Sequence, residues 1–176
     1  TGAGELVLNI NASNQITVNM GQPIFEPKNI PLNSAQRQRL YTVEAAGASL
    51  EFSAISMGNP HAVIQVDDVQ HTAVDVLGAA MESHSVFPER ANIGFSEITS
   101  RNSLNLRVYE RGAGETLACG SGACAAAVAG IQLGELTSPV TVRLAGGDLS
   151  IDWQGENEPV MMSGPASFVF DGMISL

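Results

Sequence analysis

One stretch of this chain combines the residue types for proton transfer and for anion binding: Thr116-Leu-Ala-Cys119-Gly-Ser-Gly-Ala-Cys124. Cys119 opens a glycine-rich turn that leads into an Ala-rich segment of helical composition. At a helix start the first backbone N–H groups lack intrahelical partners, and together with the helix dipole they favour negative charge. A cysteine placed there is expected to lean toward thiolate and to serve as base or nucleophile. The N–H groups of Gly120, Ser121 and Gly122 would hold a carboxylate or phosphate beside it. Cys124 lies five residues on, among alanines, and reads as core. On one helix the two cysteines are about 7.5 Å apart in rise, beyond the usual reach of a disulfide.

Three further clusters carry polar chemistry. Tyr109-Glu110-Arg111-Gly-Ala-Gly114 ends a strand just before the cysteine turn. Neighbouring strand residues face opposite ways, so both charges reach one site only if the strand breaks there, and the glycines permit that break. Arg111 would then clamp a carboxylate, and Glu110 would accept from an ammonium or assist proton transfer. Gly58-Asn59-Pro60-His61 is a turn with His61 as a candidate proton carrier. Asn92 follows Phe87-Pro88-Glu89-Arg90 and could donate to a carboxylate. Each cluster also has a plain reading as ion pair, turn or structural histidine. No CxxC is present, and His61, His71 and His84 do not share metal-ligand spacing with a thiol, so no metal site is expected.

The elements that must position these groups are short. Alternating residues predict a hairpin from Glu5–Ile10 and Gln15–Met20 across Asn11–Asn14. Gly21 to Pro31 reads as irregular connector. Strands are expected at Tyr41–Glu51 (broken by Gly47), Ala54–Met57, His61–Val66, Asn92–Ile98 and Leu104–Tyr109, with a strand-rich end from Val140 to Phe170. A helix is expected over Thr72–His84 with Thr72 as N-cap, and a second from Cys119 to about Leu133, ended by Gly134. The sum is an α+β (mixed α/β) domain with about eight to ten short strands, two helices and a mixed or antiparallel sheet.

With 176 residues, 44% of them hydrophobic and only 15% charged, the chain is expected to be globular. The net charge of −10, with no Lys/Arg cluster, argues against a nucleic-acid partner. No apolar run is long enough to span a membrane and no signal-type segment is recognisable, so the expectation is a cytoplasmic location.

A long-period repeat is visible. Gly4-Glu5-Leu6-x-Leu8 matches Gly147-Asp148-Leu149-x-Ile151, and Val18-x-x-Gly21 matches Met161-x-x-Gly164 at the same offset of 143 residues. A proline follows each copy (Pro23, Pro165). This suggests two equivalent halves rather than a solenoid. Cys119 lies 28 residues before Gly147. An equivalent first-half thiol would lie 28 residues before Gly4, outside this chain.

Taken together, Ser56-Met-Gly-Asn-Pro-His61, Phe87-Pro-Glu-Arg-Ala-Asn92, Tyr109-Glu-Arg-Gly-Ala-Gly-Glu-Thr116 and Ala118-Cys-Gly-Ser-Gly-Ala-Cys124 resemble the diaminopimelate epimerase family. The resemblance implies a mostly antiparallel sheet wrapped around a central helix, as one of two pseudo-symmetric halves. It implies an isomerase that converts LL- to meso-diaminopimelate with two cysteines and no cofactor or metal. By position, Cys119, Glu110 and His61 resemble catalytic residues. Asn59, Asn92, Glu110, Arg111, Gly120 and Ser121 resemble substrate-binding residues, and Phe170 stands at a position that the family places at its homodimer interface and often fills with Tyr.

On this reading residues 1–20 are a hairpin left over from the first half, 21–170 the C-terminal epimerase domain, and 171–176 a terminal strand returning toward the first domain. The partner is a missing N-terminal domain with the second cysteine, and the isolated chain is expected to lack activity. The alternatives are another cofactor-independent racemase of the same fold, such as a proline racemase or phenazine-biosynthesis relative, and a non-catalytic binding or assembly domain.

Overall fold

In the computed structural model, which describes residues 8–10 and 15–174, the strand Pro60–Gln65 is buried along nearly its whole length. Its side chains alternate between two cores. Ala62 and Ile64 join Phe52, Met81, Phe87 and Phe95, whereas Val63 joins Leu104, Leu106, Val108 and the alanines of the cysteine helix. A strand with an apolar layer on each face needs cover on both, and the consecutive apolar residues Ala62-Val63-Ile64 reflect that.

Eleven strands and two α-helices form among the described residues. They are β1 (Leu8–Ile10), β2 (Gln15–Asn19), β3 (Tyr41–Ala45), β4 (Ala48–Ser56), β5 (Pro60–Gln65), α1 (Val74–Glu82), β6 (Asn92–Ser100) and β7 (Ser103–Glu110). Then follow β8 (Gly114–Thr116), α2 (Gly120–Gln132), β9 (Val140–Leu144), β10 (Gly147–Asp152) and β11 (Met161–Pro165). The sheet order is β1-β2-β11-β10-β9-β7-β6-β5-β4-β3, with β8 on the free stretch of β7. Only β5–β6 and β7–β9 pair in parallel; the other ladders are antiparallel.

The α2 helix packs against strands from β4 round to β10 and is buried from Gly122 to Gly130. A helix enclosed by a curved sheet must be apolar all round, and the Ala-rich sequence keeps it thin enough to fit. The α1 helix covers the other core, against β3, β6, β7 and β8. The expected α+β class with a mixed, mostly antiparallel sheet is what forms.

Several boundaries differ from the sequence reading. Tyr41–Glu51 does split at Gly47, through an Ala46-Gly47 turn with both φ values positive, as a two-residue hairpin needs. Beyond that turn β4 runs unbroken to Ser56, so Ala54–Met57 is not a separate strand. Thr72 is not the N-cap of α1. Its hydroxyl donates to the Asp68 carbonyl (2.7 Å), and the helix starts after Ala73 without a side-chain cap. The segment 21–31 holds a short 3-10 turn (Pro27–Asn29) and a bridge between Ile24 and Ser56.

Of the N-terminal hairpin, Glu5–Val7 and the Asn11–Asn14 turn lie outside the described residues, as does Gly4-Glu5-Leu6 of the repeat. Its described strands are not set apart from the 21–170 unit: β2 pairs with β11 and continues the same sheet. Residues 171–174 form no strand, and 175–176 lie outside the described residues. No helix among the described residues is long and apolar enough to cross a membrane.

Candidate active site

The sheet brings the separated polar clusters to one end. His61, the second residue of β5, pairs in register with Asn92, the first residue of β6. The next residue of β6, Ile93, pairs with Tyr109, so the end of β7 at Glu110 arrives alongside. β7 ends there, and Arg111 and Gly112 form a turn closed by the Ala113 N–H on the Glu110 carbonyl (3.1 Å). Gly112 has φ +75°, the left-handed value that the third residue of such a turn requires. The break expected between Glu110 and Arg111 is thus present. The chain returns as β8 and delivers Cys119 to the start of α2.

Cys119 is the N-cap of α2, with extended backbone (φ −139°, ψ 105°). Its carbonyl receives the Ala123 N–H (2.9 Å), so the N–H groups of Gly120, Ser121 and Gly122 lie ahead of the first intrahelical bond. No acidic side chain occupies the first turn. Close packing explains the glycines. A Cβ on Gly122 would come within 3.2 Å of Cys119 Sγ and Val108 Cγ2, and one on Gly120 within 3.2 Å of Met162 Sδ.

The expectation of a thiolate is not met. Burial pushes the Cys119 pKa above the ordinary thiol value, and Glu110 facing the sulfur raises it further. The Gly122 N–H and the Ser121 hydroxyl, 3.7 Å from Sγ, act against the rise without cancelling it. Cys119 is therefore a thiol at neutral pH, with donors in place to stabilise the anion once the proton leaves. Cys124 is fully buried and pushed up to about 12 by desolvation and then by Cys119. Both cysteines are free.

A chain of contacts runs from His61 to the sulfur. His61 Nε2 lies 3.0 Å from Asn59 Oδ1, Asn59 Nδ2 lies 3.5 Å from Ser121 Oγ, and Ser121 Oγ lies next to Cys119. An amide oxygen only accepts, so His61 carries its proton on Nε2 and donates. Burial first, and the Arg111 charge second, push the His61 pKa down to about 3. A neutral, 1% exposed ring that donates to Asn59 is suited to orienting the amide.

This burial has a measurable cost in acid. The unfolded chain protonates His61 near 6.5, whereas the folded chain resists until about 3, so stability falls as pH drops through that window. Between pH 7 and pH 5 the expected loss from this group is about 2 kcal/mol. Urea unfolding at the two pH values should show that extra loss in the parent chain and not in His61→Gln. Parallel pH dependence in both would contradict the buried neutral assignment.

The remaining candidates are gathered with unequal exposure. Asn92 is buried; its Nδ2 donates to the Pro60 carbonyl and its Oδ1 accepts the Arg111 N–H, both at 3.0 Å. It ties the Gly58–His61 turn to the Arg111 turn. Arg111 is exposed and donates from Nη1 to the Glu89 carbonyl (3.1 Å). Glu110 is half-buried and accepts from the Thr116 hydroxyl. Phe170 lies apart, 78% exposed in the 166–174 segment beside exposed Phe168 and Val169.

Two contributors escaped the sequence reading. Thr116 holds Glu110, and Glu82 at the end of α1 is buried and accepts both the Gly112 N–H (3.0 Å) and Arg90 Nη1 (3.3 Å). Glu82 anchors the turn that carries Arg111. Nothing in its spacing marks it, since it reads as the polar tail of an amphipathic helix. Among the described residues no three His, Cys, Asp or Glu side chains are grouped to hold a metal.

The fold recurs in solved structures. A probable proline racemase from Agrobacterium radiobacter with bound carbonate aligns over 97% of this chain and 62% of its own, with TM-score 0.62 and 11% identity. A hydroxyproline epimerase from Agrobacterium vitis with bound trans-4-hydroxy-L-proline aligns over 94% of this chain and 55% of its own, with TM-score 0.60 and 14% identity. A Bacillus anthracis phenazine biosynthesis protein of the PhzF family aligns over 96% and 64%, with TM-score 0.56 and 14% identity. The chain thus spans less than two thirds of each of these proteins. The sequence pattern described as diaminopimelate epimerase matches residues 53–169, a span that contains Cys119 and every residue gathered around it. The chain belongs to the diaminopimelate epimerase family.

Proposed function

We propose that this chain supplies one half of a cofactor-independent epimerase that converts LL- to meso-diaminopimelate, with Cys119 as one of two proton-transferring thiols. The observation that carries this reading is the Cys119 thiol at the start of α2, flanked by the N–H groups of Gly120 and Ser121 and faced by Glu110.

The chemistry follows from that geometry. An amino-acid α-proton is too weakly acidic for a thiolate in water, so the charge that develops on the carboxylate must be stabilised. Gly120 and Ser121 N–H groups at the helix terminus do so, as preorganised donors. A thiolate from the other half removes the α-proton from one face. Cys119 gives its S–H proton to the opposite face, leaving the carbon inverted and Cys119 as thiolate. In the reverse direction the roles exchange. Burial and Glu110 keep the proton on Cys119 until it is needed, while Gly122 N–H and Ser121 Oγ limit the cost of the thiolate that follows.

His61 orients Asn59, and Asn59 with Asn92 shapes the wall beside the reacting centre. Arg111 and Glu110 meet the charged groups of the substrate, which favours an amino acid with a second charged end. Both sulfurs must stay reduced, as they do in the cytoplasm.

The two-half arrangement is supported by the β2–β11 ladder. Val18 pairs with Met162 and Asn19 with Met161. Under the 143-residue offset, Val18 corresponds to Met161 and Asn19 to Met162, so equivalent positions exchange across the ladder. A two-fold relation between the hairpins has that property. The exposed Phe168–Phe170 segment suits an apolar interface between two copies, with Phe170 within it.

The substrate assignment is tested by giving the protein that carries both halves LL-diaminopimelate, L-proline and trans-4-hydroxy-L-proline, and following inversion by chiral chromatography. Inversion of diaminopimelate alone is expected. Inversion of a proline with none of diaminopimelate would overturn the assignment.

A further inference from the structure

Helix α1 ends on a group that its own stability does not call for. Glu82 is its last residue, 6% exposed, and no basic side chain shares the last turn. A carboxylate there faces the negative pole of the helix dipole and loses its water. Such a charge persists only with donors, and Glu82 Oε1 has two, the Gly112 N–H (3.0 Å) and Arg90 Nη1 (3.3 Å).

Those donors belong to the two turns that hold Arg111. The Phe87–Arg90 turn is closed by the Arg90 N–H on the Phe87 carbonyl (2.9 Å), and its Glu89 carbonyl accepts from Arg111 Nη1 (3.1 Å). Arg90 has φ +59°, a left-handed backbone that a long side chain rarely adopts. Glycine would fit that backbone better but would leave Glu82 without its guanidinium. The contacts close into a ring. It runs from Glu82 to the Gly112 N–H, along the peptide to Arg111, through the Arg111 guanidinium to Glu89, on to Arg90 and back to Glu82.

We propose that Glu82 is a positioning residue for substrate recognition, holding the Arg111 guanidinium ready for a substrate carboxylate before the substrate arrives. The proposal rests on the reading of Arg111 as a contact to the charged groups of the substrate. Arg111 is exposed, and an untethered arginine would have to be ordered on binding, which weakens affinity. The partners of Glu82 are Gly112 and Arg90, not the donors beside Cys119, so its loss should show in KM and leave kcat nearly unchanged.

The test compares Glu82→Ala with Val74→Ala, which truncates a buried side chain at the other end of α1. In this chain, amide exchange followed by NMR should be at least about tenfold faster at Gly112 in Glu82→Ala, relative to the core strands, and not in Val74→Ala. In the protein that carries both halves, Glu82→Ala should raise KM for diaminopimelate about tenfold or more, with kcat changed less than about threefold. Val74→Ala should leave KM unaltered. Glu82→Gln keeps an acceptor for Gly112 but not the charge facing Arg90, so a KM rise of about threefold is expected. That variant decides the matter if Glu82→Ala fails to fold. In an Arg111→Ala background, Glu82→Ala should add nothing to the loss in kcat/KM. Unaltered exchange at Gly112, an unaltered KM in the variants that fold, or a fall in kcat as large as the rise in KM would each overturn the proposal while the parent still epimerises. A parent protein that inverts no diaminopimelate would overturn the epimerase reading, and the recognition role with it.

Discussion

Replacing Cys119 with alanine in the protein that carries both halves is expected to lower the rate of diaminopimelate epimerisation at least about a thousandfold. A positioned acid or base contributes roughly a hundred- to ten-thousandfold, and inversion needs one group on each face. Cys119 is the only thiol of this chain at the helix terminus; Cys124 is buried inside α2 and held near 12. No neighbour can take its place. Glu110 is bound to Thr116, and His61 stays neutral down to about pH 3. A coupled assay that follows meso-diaminopimelate reads the loss directly, and near-normal turnover would remove Cys119 from the mechanism.

The 176-residue chain alone is expected to show no enzyme-like epimerisation, and joining it to the other half should restore turnover. The reasoning is geometric. On the proposed mechanism, only one face of a substrate held on Gly120 and Ser121 would meet a proton-transferring group, and the other would be open to solvent. Without a second wall the carboxylate is solvated, and the N–H donors lose the low-dielectric setting that makes them effective. Exposed Leu117 next to the site, at 72%, is consistent with a surface built to be covered. Robust turnover by the isolated chain would show that one half suffices.

Much of this site was legible in the sequence, for local reasons. A cysteine followed by Gly-Ser-Gly and a run of alanines specifies a helix start whatever surrounds it, and α2 begins there and ends at Gly134 as expected. The glycines after Glu110-Arg111 likewise announced the turn that separates the two charges.

What failed depends on distant packing. The thiolate expectation followed the helix-terminus rule, but Cys119 is 6% exposed, and desolvation outweighs the terminal donors. Cys119 belongs to the same buried cluster as Val108 on β7, with Met162 on β11 packed against that cluster, which no local pattern reveals. His61 follows a turn that looks exposed in sequence, yet parallel pairing of β5 with β6 encloses it. The three-residue β8 has no β-branched or aromatic run to announce it; pairing with β7 makes it a strand. Thr72 would cap a helix in isolation, but the turn at Asp68 takes its hydroxyl first.

The most direct test of the account is deuterium exchange at the substrate α-carbon, followed by NMR in D₂O with Cys119→Ala in the protein that carries both halves. If Cys119 serves one face and a second thiol the other, only the isomer whose α-proton points at the second thiol will exchange, and it will do so without inversion. Exchange from both isomers at the parent rate would contradict the assignment of Cys119.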